Sequence, residues 1–161
     1  MTEARRRTLI VVMLLAGTLL QIAIGSRLAV RWAAPNLALA SLGCACLFVD
    51  SSAAAIFGFG VGLVESSYVA SLMGTFIVSR TITGFLIGLL EDRVFRDSVP
   101  LAVATVLVAT FVAGTLFFAF APQPEAARWF ANLAGTAVYN AVLAAPVYAI
   151  MRKVAGRPRI A

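Results

Sequence analysis

Residues 72–90 read Leu72-Met-Gly-Thr-Phe-Ile-Val-Ser-Arg80-Thr-Ile-Thr-Gly-Phe-Leu-Ile-Gly-Leu-Leu90, an apolar run with one charge near its middle. Coiled as a helix at about 1.5 Å per residue, the run is about 28 Å long, enough to cross a hydrocarbon core. A lone guanidinium at that depth costs at least about 2.5 kcal/mol on insertion scales, so it is expected to face the bundle interior and meet a partner. The partner on this reading is Glu65, at the tail of the preceding apolar run, 53–64. A tight turn near Met73 would set the two segments antiparallel. Glu65 then stands about 21 Å above Ser51, and Arg80 about 15 Å above Leu90, an offset that an arginine stem covers. Several roles stay open. The pair is a neutralised contact that fixes helix register, a ligand or ion site, or a polar contact for a partner protein's span, unless Glu65 snorkels to the outer interface.

Composition sets the class. The 161 residues are 61% hydrophobic and only 12% charged, with a mean hydropathy of +0.96, which a soluble domain could not hide. The expected protein is all-α: a polytopic bundle of six transmembrane helices forming one integral membrane domain, 1–161, in contact with membrane lipid. The formal charge of +6 would suit nucleic acid, but the basic residues cluster beside apolar runs, so no nucleic-acid partner is expected.

Four spans are read from hydropathy, 8–27, 72–90, 99–121 and 129–151. Segment 35–71 is either two short helices broken at Asp50-Ser51-Ser52 or one bent segment. Arg5, Arg6 and Arg7 precede the first span, and Arg152, Lys153, Arg157 and Arg159 follow the last. Positive-inside logic puts both ends in the cytoplasm, which requires an even number of spans. Six spans place nine basic residues inside, these seven together with Arg93 and Arg96, against Arg27, Arg31 and Arg128 outside. The apolar stretch after the N-terminal arginines is long, so it is read as an uncleaved first span rather than a secretory signal.

Within the bundle, Gly58 and Gly62 fall four apart on one helix face, and Gly84 and Gly88 repeat that spacing, the pattern that lets membrane helices approach closely. Gly58-Phe-Gly-Val-Gly62 is not a dinucleotide loop, since no strand precedes it and its spacing is wrong. Gln21, Tyr139 and Asn140 are candidate interhelix or partner contacts, and Pro146 would bend the last helix unless neighbours satisfy the freed carbonyl. Trp32, Trp129 and Tyr68 stand near span ends, where aromatic belts form. Glu91, Asp92, Arg93, Arg96 and Asp97 read as a solvated cytoplasmic loop.

Chemistry is sparse. There is no His, and no Ser or Cys stands beside a base, so no catalytic residues are assigned and no enzyme is expected. Cys44 and Cys46 lie two apart on different helix faces and read as small buried residues; no metal site and no cofactor is expected.

The order of these features resembles the rod-shape-determining membrane protein family MreD. The residues that carry the resemblance are Pro35-Asn36, Gly58-x-x-x-Gly62-Leu63-x-Glu65, Gly84-Phe85-Leu86-x-Gly88, Arg93-x-Phe95-Arg96-Asp97-Ser98, and Thr136-x-x-Tyr139-Asn140 with Pro146. It runs from about 35 to 153. Where the family usually has Asp after the Gly-Leu of the third span, this chain has Glu65. The resemblance implies a non-enzymatic inner-membrane component of the cell-elongation complex that helps localise peptidoglycan synthesis. Its implied partners are an MreC-like periplasmic protein, the actin-like MreB and the wall synthases, met directly or indirectly. It also implies a fold similar to the vitamin-binding subunits of energy-coupling-factor transporters. That class supplies the alternative, a substrate-binding membrane subunit for vitamin or micronutrient uptake, although here the outer loops are sparse.

Overall fold

The computed structural model describes the backbone of residues 3–29, 33–67, 72–94 and 98–156, with the side chains at 3, 26 and 91–94 outside that description. Arg31, Trp32, Tyr68, Phe95, Arg96, Asp97, Arg157 and Arg159, and the side chains of Glu91, Asp92 and Arg93, therefore lie outside the described residues. The described elements are helical: α1 (Glu3–Ile24), a 3₁₀ turn (Gly25–Leu28), α2 (Leu37–Cys46), α3 (Ser51–Ser66), α4 (Met73–Val94), α5 (Val99–Phe120) and α6 (Ala126–Ala155).

Four of these helices carry apolar stretches long enough to cross a bilayer: Ala4–Ile24, Met73–Leu90, Val99–Phe120 and Ala126–Ala155. Segment 35–71 contains two separate helices rather than one bent one. With 10 and 16 residues, α2 and α3 are about 15 and 24 Å long, short of a core about 30 Å thick. The described residues thus hold four apolar helices long enough to span and two shorter ones. Local chemistry sets the break. The Asp50 backbone is extended, and its carboxylate accepts from Ala53 N at 3.3 Å, starting α3 anew after α2 has ended. Pro100 sits in the first turn of α5, where a missing N–H costs nothing. α6 runs 30 residues through Pro146 as a single helix, with Arg152 and Lys153 in its last turn against the negative end of its dipole.

Polarity is distributed as a bilayer requires. Large apolar side chains face outward on the longer helices, among them Val12 and Leu19 on α1, Ile56 on α3, Leu90 on α4, Phe120 on α5 and Val142 on α6. Arg80, Asn140, Thr83 and Thr110 are buried. All ten residues of α2 are buried, and α2 packs against each of the other five α-helices, so the shortest helix is the axis of the bundle. Cys44 and Cys46 are buried free thiols on it, donating weakly to the carbonyls of Ala144 and Ala54. Arg6 is buried as well, its Nη2 donating to Phe48 O at 2.8 Å. This arginine holds α1 to the turn after α2, a structural use that a count of basic residues does not disclose.

A buried polar chain that links the helices

The α3/α4 pair is built on glycine. A Cβ on Gly58 would strike the carbonyl of Arg80, and one on Gly84 the carbonyl of Ala54; one on Gly62 would stand 2.7 Å from Ile77 Cα, and one on Gly88 2.5 Å from Ser51 Cα. All four positions put backbone against backbone, whereas Gly60 faces open space. The two helices lie antiparallel and so close that Glu65, in the last turn of α3, reaches Arg80, two turns into α4.

Arg80 Nε donates to Glu65 Oε2 at 2.6 Å, with the two side chains 7% and 10% exposed. The Phe76 ring lies beneath the guanidinium, 5.6 Å from centroid to Cζ. The other carboxylate oxygen, Oε1, accepts from Asn36 Nδ2 at 2.9 Å. The carboxylate is therefore hydrogen-bonded beyond the pair itself, which favours a buried ion pair, while the guanidinium has the Phe76 ring beside it.

Asn36 is the hub. Its Oδ1 accepts from Leu39 N at 2.7 Å and caps α2, while its own backbone N–H donates to Asn140 Oδ1 at 2.9 Å. Asn140 Nδ2 in turn donates to Thr110 Oγ1 at 3.1 Å, and that hydroxyl donates to Val106 O. On the other side of the cap, Gln21 Oε1 accepts from Leu37 N at 2.6 Å. One continuous set of bonds thus joins Arg80 on α4, Glu65 on α3, the start of α2, Asn140 on α6 and Thr110 on α5, with Gln21 on α1 bound at the same cap. Every helix contributes. The positive end of the α2 dipole lies beside the Glu65 carboxylate, which adds favourable electrostatics.

Of the residues singled out from sequence, Glu65, Arg80, Gln21 and Asn140 come together here, and Gly58, Gly62, Gly84 and Gly88 line the adjoining helix contact. Tyr139 is half-buried and stands outside the chain of bonds, and Pro146 lies nearer the termini. Sequence reading missed Asn36 as the junction, although Asn before an apolar run is an N-cap signal. It also missed Thr110, which looks like any small polar residue in a span. No group of three or more His, Cys, Asp or Glu side chains able to hold a metal occurs among the described residues.

This arrangement can carry load between helices and can present hydrogen-bonding groups, and it offers no nucleophile beside a base. A family model for the rod shape-determining protein MreD matches residues 4–155. No curated protein and no solved structure matches the chain. The chain belongs to the MreD family, a membrane family that determines cell shape and acts structurally.

Proposed function

We propose that this MreD-family chain is a non-enzymatic, multi-pass component of the cell-elongation complex in the bacterial inner membrane, with both termini in the cytoplasm. In this role it supports the placement of peptidoglycan synthesis by holding an MreC-like periplasmic protein and, directly or through it, the actin-like MreB and the wall synthases. The observation that carries the reading is family membership over nearly the whole chain. The bundle adds a physical means: a buried polar chain that reaches from the ends of α1 and α3 to the middle of α5 and α6 ties all six helices together, suited to docking rather than to chemistry. Arg5, Arg6 and Arg7 stand at the start of α1 and the pair Arg152–Lys153 at the end of α6, and their charge favours the cytoplasmic side. The same family membership favours this role over uptake of a micronutrient.

The test is rescue of rod shape in a strain depleted of its own shape protein, read beside affinity purification in mild detergent. Rods should return, and an MreC-like protein should co-purify. Round cells together with a co-purifying pair of transport ATPases would refute the reading and favour the uptake alternative.

A further inference from the structure

Beside the polar chain, at the end of the bundle away from the termini, a cavity of about 280 Å³ opens between α2, α4, α5 and α6; Asn36, Phe76, Arg80, Phe117, Trp129 and Asn132 are among its walls. That volume equals roughly nine waters at about 30 Å³ each, room for a small organic group. Its donors outnumber its acceptors. A guanidinium carries five N–H bonds, and only the one on Nε is used, by Glu65; the Nη groups make no hydrogen bond to the described residues. Across the cavity, Trp129 Nε1 is buried without an acceptor among the described residues. Phe117 stacks on the Trp129 ring at 5.6 Å and 16°, and meets Phe76 edge-on at 4.9 Å. The lining therefore combines a buried guanidinium with spare donors, an orphan indole N–H and a continuous aromatic wall.

We propose that this cavity binds a small organic anion, a carboxylate or phosphate carried on an apolar body. The Arg80 Nη groups take the anion, the arrangement in which charge-assisted hydrogen bonds are strongest, and the Phe117–Trp129 stack takes the apolar part. Glu65 does not defeat this: its carboxylate is already engaged by Arg80 Nε and Asn36, and the N-terminus of α2 adds positive potential at the same place. Such an anion has two sources, a free metabolite or the head of an anionic phospholipid. The proposal does not depend on the partners assigned above.

The experiment is thermal melting of the purified full-length chain in neutral detergent with benzoate, phenyl phosphate, or phosphatidylglycerol in mixed micelles. Benzyl alcohol and phosphatidylcholine are the uncharged and zwitterionic controls. An anion that binds the folded state raises the melting temperature in a saturable way, and the controls should not. A rise with benzoate or phenyl phosphate identifies a free anion; a rise with phosphatidylglycerol alone identifies a lipid head. Trp129→Phe removes the orphan N–H while keeping a ring to stack on Phe117, so the variant should still fold and, measured as a ligand-induced shift from its own melting point, bind about 2–10-fold more weakly. Arg80→Lys keeps a charge for Glu65 but drops the forked donors, and should weaken binding about tenfold or more. If that variant does not fold, Trp129→Phe alone decides. No saturable shift with any anion, or a shift of unchanged affinity in Trp129→Phe, would overturn the proposal.

Discussion

Adding one methyl group at four glycines should separate two effects that usually travel together. Gly→Ala in a helix interior gains about 1 kcal/mol of intrinsic propensity, and at Gly60, where an added Cβ meets nothing within 4 Å, that gain should appear undiminished. At Gly62 the same methyl would stand 2.7 Å from Ile77 Cα and 2.8 Å from Phe76 O. Ordinary carbon contacts lie at about 3.5–4.0 Å, so α3 and α4 must part by roughly 1 Å. A gap of that size forfeits a quarter to a half of each dispersion contact along the seam, and overpacking of this kind costs about 1–3 kcal/mol. Between membrane helices there is little hydrophobic exclusion to restore it. The net expectation is a loss of about 0–2 kcal/mol at Gly62, with larger losses at Gly58 and Gly84, whose added methyls would strike backbone carbonyls. Parting the helices also stretches the 2.6 Å Arg80–Glu65 bond. The assay is unfolding of the purified variants in one fixed detergent, compared by midpoint. Gly60→Ala should melt above the parent, and Gly58→Ala and Gly84→Ala several degrees below it. If all melted together, close backbone packing would be the wrong account of these glycines.

Truncating Glu65 or Arg80 singly should destabilise by about 3–5 kcal/mol, because each leaves an uncompensated buried charge, whereas replacing both with apolar residues should recover part of the loss. Glu65→Ala should be the worse single change, since a guanidinium keeps its charge where a carboxyl can take up a proton; additive losses in a double-mutant cycle would refute the coupling. Asn140→Ala strips the acceptor from the Asn36 N–H and should cost about 1–3 kcal/mol, read as a lowered melting midpoint; an unchanged midpoint would show that the bond carries nothing. Reporters active only outside the cytoplasm, fused after Ala161 and in the loop at Gln123, should be silent and active respectively, and the reverse would invert the orientation.

Much of the fold was legible because lipid makes the code simple. Long apolar runs announced α1, α4, α5 and α6, whereas Asp50-Ser51-Ser52 marked only where a break could fall and left open two short helices or one bent segment. What hydropathy could not supply is rank. α2, ten residues with Ser41 among its apolar ones, reads as one of two weak spans, yet it packs against every other α-helix. Burial in protein and burial in lipid look alike in an apolar sequence, so nothing in Leu37–Cys46 distinguishes a central helix from a peripheral one. Arg6 shows the converse. Beside Arg5 and Arg7 it reads as one more topology charge, and only the position of the Phe48 carbonyl reveals its bond.

The candidate site divides along the same line. Glu65 and Arg80 stood out because a charge within an apolar run is costly and must be answered, and a tight turn near Met73 already set the two segments antiparallel. Asn36 did not stand out, since it lies outside the apolar runs where polar residues are cheap and its weight comes from geometry. A short helix buried at both ends must have its first N–H groups satisfied within the protein, because neither water nor lipid will do it. At α2 the answers are Asn36 Oδ1 for Leu39 and Gln21 Oε1 for Leu37. Once Asn36 is held as a cap, its amide nitrogen and its own N–H point away from α2, toward Glu65 and Asn140. The requirement to cap one buried helix thus recruits the ion pair of α3 and α4 and the Asn140–Thr110 contact of α6 and α5 into a single unit. Asn36→Ala should consequently loosen all of these contacts together, with an effect exceeding the roughly 1 kcal/mol of a lost cap.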